Sequence, residues 1–324
     1  MRETTPVVSL GMPVFNGQRY LATAIESVLA QSFRDFELLI CDNASTDATE
    51  GICRAFADAD PRVRYFRNPE NLGAHPNFNR AFELAAGRYF KWASHDDALQ
   101  PGYLQACVDA MEQNTDAVLC QSDIDYIDEG GNSIGVRISQ LPGADSPSPS
   151  RRFSALVLLP HDCQAMMGLF RRELLGRSRL LPSFHGADRA MLAEVALFGR
   201  FIRVPGALIR IRDHGQRYSQ SRKRPKDRAA WHDTRKSGQA RLPVWTMYRA
   251  YWKAVATAPL PGPEKARARL ALFEWWFRNY NAARMGVDLI GSVFPGFVGT
   301  AERFKQSLLS PAPGPGQARG AKRR

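Results

Sequence analysis

The sequence predicts an α/β fold, in which helices flank a mostly parallel β-sheet. Within residues 1–114, short apolar runs typical of buried strands alternate four times with segments of helical spacing. This alternation is typical of layered α/β proteins, where each helix carries the chain back to begin the next parallel strand. Hydrophobic residues make up 44% of the 324 residues, which is enough for one large core with an appendage or for two domains.

The first half of the chain supplies four predicted strands and four predicted helices. The strands are Val7–Leu10, Phe36–Cys41, Val63–Phe66 and Tyr89–Ala93. The helices are Gln18–Gln31, a segment through Ile52 and Phe56, Asn77–Ala86 and Pro101–Asn114. We expect a turn at Gly11–Gly17, and we expect Gly87 to end the third helix as its cap.

The next part of the chain continues the same pattern up to residue 215. The predicted strands are Ala117–Ser122, a hairpin of Ile124–Ile127 with Ser133–Val136, then Ala165–Phe170, Phe201–Val204 and Leu208–Ile211. The predicted helices are Phe153–Leu159 and Asp188–Phe198. Leu141–Ser150 is rich in Pro, Ser and Gly, which predicts a loop or linker between them.

The C-terminal third differs in charge and composition. Residues 1–215 carry 22 Lys and Arg against 26 Asp and Glu, whereas residues 216–324 carry 22 against 6. Val244–Ala258 and Glu264–Met285 place aromatic and basic residues at helical spacing. Such helices either lie in a membrane interface or pack their aromatic residues on the α/β core, and the sequence does not separate the two. We therefore divide the chain into an α/β domain (1–215), a basic helical region (216–309) and a disordered tail (310–324).

Charge, cysteine usage and hydropathy limit the location and the partners. The basic third predicts an acidic partner surface, but no nucleic-acid-binding motif is recognisable, so nucleic acid is disfavoured and anionic lipid is favoured. Five cysteines, odd in number and scattered through apolar segments, indicate reduced thiols and a cytoplasmic protein. No apolar run reaches the ~18–20 residues that span a bilayer, and we recognise no signal peptide at the N-terminus.

The stretch Arg88–Asp97 is where the sequence first suggests chemistry. An apolar strand runs directly into a polar cluster that ends in Asp96 and Asp97. In open α/β sheets, ligands bind outside the carboxyl ends of the strands, and paired carboxylates there suit Mg²⁺ or Mn²⁺. A solvated turn after a core strand would look the same in isolation.

Five motifs in the same order together resemble the family 2 glycosyltransferases. They are Val8–Asn16, Leu38–Asp47, Asn71-Leu72-Gly73, Asn79 and Ala86-Gly87, ahead of the acidic cluster. The resemblance extends over roughly residues 6–215. It implies the GT-A fold, a Rossmann-like α/β sheet, with the C-terminal helices as an extension.

The resemblance implies a set of residues that bind the donor nucleotide. Asp42 matches the residue that binds the base, and the turn at Pro13–Asn16 matches the lining of the nucleotide pocket. The full set implied is Pro13, Phe15, Asn16, Asp42, Asn71, Arg80, Ser94 and His95. Arginines are further candidates for contact with the diphosphate, namely Arg210, Arg212, Arg217 and Arg222.

The resemblance also implies a divalent cation, Mn²⁺ or Mg²⁺, that is bound against the donor diphosphate. Asp96 and His214 match the positions of its ligands, and Asp97 is a further candidate. The family usually has Asp-x-Asp-Asp where this chain has Ser94-His95-Asp96-Asp97. Because Ser94 replaces a carboxylate, we expect weaker metal binding.

Asp188, in Gly186-Ala187-Asp188, matches the acceptor-side acid that acts as general base. An ionised carboxylate can remove the proton of an acceptor hydroxyl as that oxygen attacks the anomeric carbon. With no second carboxylate nucleophile evident, a single displacement with inversion is expected. The residues alone favour Asp188 as the N-cap of the helix that follows it, and the resemblance favours it as the base; the two roles are compatible.

The function predicted is inverting transfer of a sugar from a UDP- or dTDP-linked donor. The acceptor would be a hydroxyl of a glycan or a lipid-linked acceptor in cell-surface polysaccharide synthesis, with peripheral contact to the inner face of the cell membrane through the basic region. One alternative is a catalytically impaired sugar-nucleotide binding protein, which Ser94 motivates. A nucleotidyltransferase is disfavoured because no Gly-rich basic loop follows the first strand, and a dehydrogenase is excluded by the lack of Gly-x-Gly-x-x-Gly there.

Overall fold

The computed structural model describes residues 5–139, 141–215, 231–236 and 242–293, in which one mixed sheet is flanked by helices. The strands are β1 (Val8–Val14), β2 (Phe36–Asp42), β3 (Val63–Arg67), β4 (Tyr89–Trp92), β5 (Ala98–Leu99), β6 (Ala117–Ile127), β7 (Ser133–Arg137), β8 (Leu169–Arg171) and β9 (Arg200–Arg212). The helices are α1 (Leu21–Leu29), α2 (Thr49–Ala59), α3 (Ala74–Glu83), α4 (Tyr103–Gln113), α5 (Pro149–Leu158), α6 (Arg172–Gly176), α7 (Ala187–Val195), α8 (Pro243–Thr257), α9 (Gly262–Phe277) and α10 (Asn281–Val293). These elements confirm the predicted α/β class and the helical C-terminal extension.

The strand order in the sheet is β3-β2-β1-β4-β8-β6-β9-β5, with β7 paired to β6. Strands β1 to β4 pair in parallel, β8 is antiparallel to β4 and β6, and β6 is parallel to β9. Parallel strands end at a common edge, so the polar residues that follow β1, β2 and β4 are brought together there.

The core has two layers, one on each face of the sheet. Successive side chains of β4 point to opposite faces, so Phe90 and Trp92 enter one apolar cluster while Tyr89 and Ala93 enter the other. All four lie in the protein interior. The strand that ends at the acidic cluster is thus fixed from both sides.

The C-terminal helices share this core. Tyr251 of α8 is buried and its ring packs edge-on against Phe153 of α5, with ring centroids 6.1 Å apart. Trp275 of α9 is also buried, whereas Trp252, Phe273 and Phe277 are exposed. The structure therefore supports packing on the core for part of the aromatic set. The boundaries of the three predicted regions stay a prediction, and the tail at 310–324 lies outside the described residues.

The first strand is longer than predicted and includes Pro13, where a turn was expected. The Val14 carbonyl accepts a hydrogen bond from Asn43 on the β2 side, and the Gly11 carbonyl accepts one from Ala93 on the β4 side. Because strand residues alternate sides, the nitrogen of Pro13 faces the β4 side beyond the end of β4. No ladder hydrogen bond is lost there, so the strand continues through proline.

Two further boundaries differ from the prediction. Helix α3 ends at Glu83 with Leu84 as its cap, and Gly87 instead lies against β1, where an added Cβ would be 2.7 Å from the Ser9 nitrogen. Gln164–Met167 forms a 3₁₀ turn and not part of a strand. Gly168 follows it with equally close contact to the Cys120 carbonyl. At both boundaries the chain path depends on close backbone contacts at a glycine. The pattern of apolar residues does not reveal such contacts.

Two pairs of short predicted strands each form one continuous strand in the structure. The pairs are Ala117–Ser122 with Ile124–Ile127, and Phe201–Val204 with Leu208–Ile211. Strand β6 runs without a break through Ala117–Ile127, and β9 runs through Arg200–Arg212. Their parallel register shifts between Ser122 and Ile124, which absorbs the Pro-Gly pair of β9 as an irregularity.

Candidate active site

The acidic turn after β4 contacts the end of β9. The Nε2 atom of His214 donates a hydrogen bond to Oδ2 of Asp96 over 3.0 Å. The backbone N–H of Arg212 donates to Oδ1 of Asp97 over 2.9 Å. Asp97 thus ties the turn to β9, while Asp96 and His214 face each other. The structure joins two of the residues that the sequence singled out as metal ligands.

Two arginines of β9 brace this contact. Arg212 is buried and donates to the backbone carbonyls of Asp96, Asp128 and Glu129. Arg210 pairs with the Asp125 carboxylate over 3.1 Å. Both guanidinium groups therefore bind protein oxygens and stabilise the segments around the acidic turn. The other two candidates for diphosphate contact, at positions 217 and 222, lie outside the described residues.

The electrostatics keep Asp96 ionised. Burial of this carboxyl favours its neutral form and by itself would raise the pKa. The charge of the nearby His95 and the hydrogen bond from His214 outweigh burial, so the pKa of Asp96 lies below its usual value. An anionic, half-buried carboxylate at the carboxyl edge of a parallel sheet suits a cation or a cationic partner.

Asp96 and His214 fit a divalent cation as two of its ligands. The 3.0 Å between Nε2 and Oδ2 suits two neighbouring ligands of an octahedral ion with bonds of about 2.1 Å. Binding would require the ring to carry its hydrogen on Nδ1, so that the cation replaces the hydrogen between Nε2 and Asp96. The other ring nitrogen of His214, Nδ1, is buried without a hydrogen-bond partner. Within the described ranges, no group of three or more His, Cys, Asp or Glu could hold a metal. A cation here would thus take its remaining ligands from phosphate oxygens and water, as Mg²⁺ commonly does.

Ser94 and His95 lie at the mouth of the turn and are both half-buried. The His95 ring lies against Gly17, where an added Cβ would be 2.7 Å from its Cδ2 atom. Ser94 lines a cavity of about 10 Å³ together with Lys91 and Asp97. The serine takes the place of the first family carboxylate at the edge of this narrow space.

Lys91 is a buried cation that the sequence reasoning missed. It lies on β4, donates to the Met167 carbonyl and places its ammonium 4.8 Å from the centre of the Tyr103 ring. Burial lowers its pKa to about 8. A lysine alternating with aromatic residues in an apolar strand was the available signal. Lys91 lines the same small cavity as Asp97, whose charge favours the protonated form of the lysine.

Asp42, at the end of β2, is fully buried and makes three hydrogen bonds. Its Oδ1 accepts from the Ser45 nitrogen over 2.9 Å, and its Oδ2 accepts from the Tyr65 hydroxyl over 2.7 Å and from Arg67 over 2.8 Å. Burial and this contact raise the pKa of Tyr65, so its hydroxyl stays a donor. The carboxylate thus fixes a tyrosine and an arginine that the sequence reasoning did not list, and Arg67 remains partly exposed.

The loop after β1 is locked to the loop after β2. The backbone nitrogen of Asn16, a residue with φ of 52°, donates to the Ser45 hydroxyl over 2.9 Å. The Asn16 side chain accepts from the Thr46 nitrogen over 2.9 Å. These contacts pre-form the turn that carries Phe15 and Asn16, directly after Pro13 and Val14 of β1, and Phe15 is left exposed at its tip.

A chain of side-chain amides joins β2 to α3. Asn43 donates to the Asn71 side chain over 2.8 Å and accepts from Asn68 over 2.8 Å. Asn68 also donates to Asn77 over 3.0 Å, and Arg80 donates to Asn68. Asn71 and Arg80, both predicted to bind the donor, belong to one network behind the Asp42 loop and help to hold it.

The same helix holds the loop that precedes Asp188. The Asn79 amide both donates to the Leu181 carbonyl and accepts from the Leu181 nitrogen, each over 3.1 Å. Nδ1 of His75 lies 2.9 Å from the Pro182 carbonyl, and its Nε2 lies 3.0 Å from Nδ1 of His232. Helix α3 therefore links the predicted donor residues to the predicted base loop.

Asp188 is the second residue of α7, whose N-cap is Gly186. It is thus not the N-cap that the residues alone allowed, although a carboxylate in the first turn still favours the helix dipole. Its Oδ1 accepts the N–H of Arg189 over 2.8 Å, and the Cys163 thiol hydrogen-bonds to it. Burial and the charge of Asp188 raise the pKa of that thiol.

A polar cavity of about 50 Å³ adjoins Cys163. Its lining includes Gln121, Arg137, His161 and Asp162. Side chains of this kind can donate to and accept from hydroxyl groups, which is what sugar recognition requires. Asp188 is half-buried and is not itself in the lining; it adjoins the cavity through its contact with Cys163.

Comparison with known proteins assigns the family. Residues 9–177, a little over half of the chain, match the family model of glycosyl transferase family 2. The chain belongs to this family. A Rickettsia felis protein named as an uncharacterized glycosyltransferase is 33% identical over 186 residues, 56% of this chain and 28% of that protein. Chondroitin synthase of Escherichia coli is 33% identical over 129 residues, 40% of this chain and 19% of the synthase. The chain thus spans less than a third of either relative.

Solved structures show the fold of this family 2 glycosyltransferase chain. Staphylococcus aureus TarS 1–349 in complex with UDP-GlcNAc has a TM-score of 0.64 at 16% identity, covering 93% of this chain and 81% of that one. The mannosyltransferase PcManGT from Pyrobaculum calidifontis, in complex with GDP-Man and Mn²⁺, has a TM-score of 0.51 at 16% identity, covering 94% and 84%. The likeness confirms the GT-A fold predicted from the motifs.

Proposed function

We propose that this chain transfers a sugar from a nucleotide-linked donor to an acceptor hydroxyl, with inversion at the anomeric carbon. The observation that carries the proposal is the contact of Asp96 with His214 at the carboxyl edge of the sheet. It lies in a family 2 GT-A chain, next to the predicted nucleotide loops. The solved neighbours are complexes with UDP-GlcNAc and with GDP-Man, which supports a nucleotide-sugar donor. We propose that this donor is UDP- or dTDP-linked.

The residues divide into a donor half and an acceptor half. On the donor side, the Asp42 network and the locked loop at Asn16 would bind the nucleotide. Asp96 and His214 would hold a divalent cation, Mn²⁺ or Mg²⁺, which neutralises charge on the departing diphosphate. PcManGT, which shares the fold, is in complex with Mn²⁺.

On the acceptor side, Asp188 removes the proton from the attacking hydroxyl. The new bond forms between that oxygen and the anomeric carbon while the bond to the nucleotide diphosphate breaks, and the proton stays on the Asp188 carboxylate until solvent takes it. The half-burial of Asp188 and the polar cavity beside Cys163 support this role. The acceptor that we propose is a hydroxyl of a glycan or a lipid-linked glycan in cell-surface polysaccharide synthesis.

The proposed location is the cytoplasm or the inner face of the cell membrane. All five cysteines are free, which agrees with a reducing compartment. In the ranges that the structure describes, no helix is long and apolar enough to cross a membrane.

The experiment is to incubate the full chain with Mn²⁺ and a panel of sugar nucleotides and to measure nucleotide release. We expect turnover with at least one donor, lost on addition of EDTA. Asp96→Asn should abolish it, and Asp188→Asn should keep donor binding but lower kcat by about 10²–10⁴-fold. Asp116→Asn is the matched control, because that carboxylate is exposed and pairs with Arg200.

Other outcomes distinguish the alternatives. Donor binding without any turnover by the wild-type chain would instead show an impaired sugar-nucleotide binding protein, the alternative that Ser94 motivates. Transfer at the normal rate by Asp188→Asn would show that the base is another group. A chain that neither binds nor turns over any donor would contradict the proposal entirely.

A further inference from the structure

An apolar stripe on the outer side of α9 is exposed to solvent. Leu270, Phe273 and Phe277 are 68%, 65% and 71% exposed. Their spacing of three and four residues places them on one face of the helix. The Phe273 and Phe277 rings contact each other edge to face, with centroids 5.2 Å apart. Three large side chains on one helix face form a patch that is unusual for a surface in contact only with water.

The stripe is not needed to build the fold. Helix α9 uses the opposite face for packing, where Ala268, Leu272 and Trp275 are buried in the core. The helix would therefore pack on α8 equally well with polar residues at the outer positions. A contact other than internal packing explains the outer residues better.

The patch continues onto the neighbouring elements. On α8, Trp252 is 46% exposed, and the guanidinium of Arg269 from α9 lies over its ring at 5.6 Å. Beyond the end of α9, Tyr280 is exposed as well. We call Trp252, Arg269, Leu270, Phe273 and Phe277 the aromatic face.

The helices that carry the aromatic face are rich in basic residues. Residues 242–293 carry seven Lys and Arg against three Asp and Glu. The acidic groups are already engaged: Glu264 with the Ser148 hydroxyl and the Ser150 nitrogen, Glu274 with Arg278, and Asp288 with the Val244 nitrogen. Glu264 also pairs with Arg267, as Glu274 does with Arg278. Seven basic residues against three acidic ones still leave these helices a net charge of +4, which attracts an anionic partner.

We propose that the aromatic face docks this protein on a bilayer that contains anionic lipid. Aromatic side chains favour the depth of the lipid headgroups, and Arg and Lys beside them attract the negative surface of the bilayer. A second copy of the chain is a poorer occupant, because two faces of the same positive charge repel each other. The contact is superficial, since no helix among the described residues could span a membrane.

Docking would hold the protein where lipid-linked acceptors present their sugars. Only this consequence rests on the proposed function, whereas the docking surface itself does not. The test therefore measures lipid binding without turnover, so that its failure is separate from a failure of the transfer reaction.

The test is flotation of the full chain with phosphatidylcholine vesicles, with and without 30 mol% phosphatidylglycerol as the probe. We expect flotation only with the anionic vesicles, weakened by high salt. The double variant Phe273→Ser with Phe277→Ser should lose at least tenfold in lipid affinity. Its matched control is the double variant Ile134→Ser with Val136→Ser on β7, whose side chains are 56% and 64% exposed. This control variant should float like the wild type. Unchanged thermal unfolding would show that the exposed changes leave the fold intact.

Several results would overturn the proposal. Equal flotation of the double variant and the wild type would exclude the aromatic face as the contact. Absence of binding by the wild type would exclude docking, and binding that appears only after removal of residues 294–324 would make that segment the occupant. A dimer in analytical ultracentrifugation that the double variant loses would make the face an interface between copies.

Discussion

His75, in the first turn of α3, is buried against the loop that leads to Asp188, and its hydrogen bonds define which ring nitrogen carries the hydrogen. A carbonyl oxygen only accepts, so the Nδ1 atom of His75 carries the hydrogen donated to Pro182. Nε2 is then an acceptor, and His232 must donate to it from Nδ1. Burial lowers the pKa of His75 to about 4, so both contacts are made by a neutral ring at pH 7.

The first prediction follows from that pKa. The unfolded chain protonates His75 near pH 6.5 and the folded protein only near pH 4, so this stability is present above pH 6.5 and is lost as the pH falls towards 4. From pH 7 to pH 5, the free energy of unfolding of the wild type should fall by about 2 kcal/mol more than that of His75→Gln. Urea titrations at several pH values measure this, and parallel curves would contradict the assignment.

At the scale of elements, α3 connects the two halves of the candidate site. It contacts β2 through Asn77, which donates to the Cys41 carbonyl over 2.7 Å, and it contacts the Asp188 loop through Asn79. The turn into α3 is made by Gly73, whose φ of 88° favours glycine. The backbone of Asp233 packs directly on this glycine, 2.7 Å from where a Cβ would stand.

The second prediction is that Gly73→Ala destabilises the protein by at least ~1–3 kcal/mol. Alanine meets both the strained dihedral and the backbone of the segment 231–236. Gly51→Ala is the matched control, since Gly51 lies within α2 with nothing within 4 Å of its added Cβ. That change should stabilise by about 0.5–1 kcal/mol. Equal effects of the two substitutions in chemical denaturation would show that Gly73 is not under this constraint.

At the scale of the whole molecule, the C-terminal helices are bound to the α/β domain by polar and apolar contacts. Arg179 pairs with Glu194 of α7 and donates to the Ala250 carbonyl of α8 over 2.6 Å. Tyr251 fills the space between α8 and α5 with almost no exposure. The extension is thus part of the folding unit, and its outer surface carries the exposed side chains of the aromatic face.

The third prediction is that Tyr251→Ala lowers the free energy of unfolding by ~3–5 kcal/mol, because it leaves a cavity in the shared core. The neighbouring Trp252→Ala removes an even larger side chain, but from an exposed position. It should cost less than about 1 kcal/mol. Calorimetry or denaturant unfolding of both variants tests this, and a small effect of Tyr251→Ala would mean that the extension contributes little to stability.

Much of the site was predictable because its residues follow strands. Asp42 and Asp96 come directly after apolar runs, and parallel strands bring such positions to one edge of a sheet. His214 followed only from the family resemblance, and the structure shows its contact with Asp96. Tyr65, Arg67 and His75 were missed, since nothing in their local pattern reports which buried group they contact.

The sequence by itself determined the alternation of strands and helices, the family and the edge of the sheet where chemistry is expected, because apolar periodicity and turn residues are local properties. The tertiary structure alone decided that β1 continues through Pro13, that α3 joins the Asp42 network to the Asp188 loop, and that Tyr251 is buried while Phe273 is exposed. Those outcomes depend on which segments meet in space. Two aromatic residues at similar helical spacing differ only in the surface that packs against them.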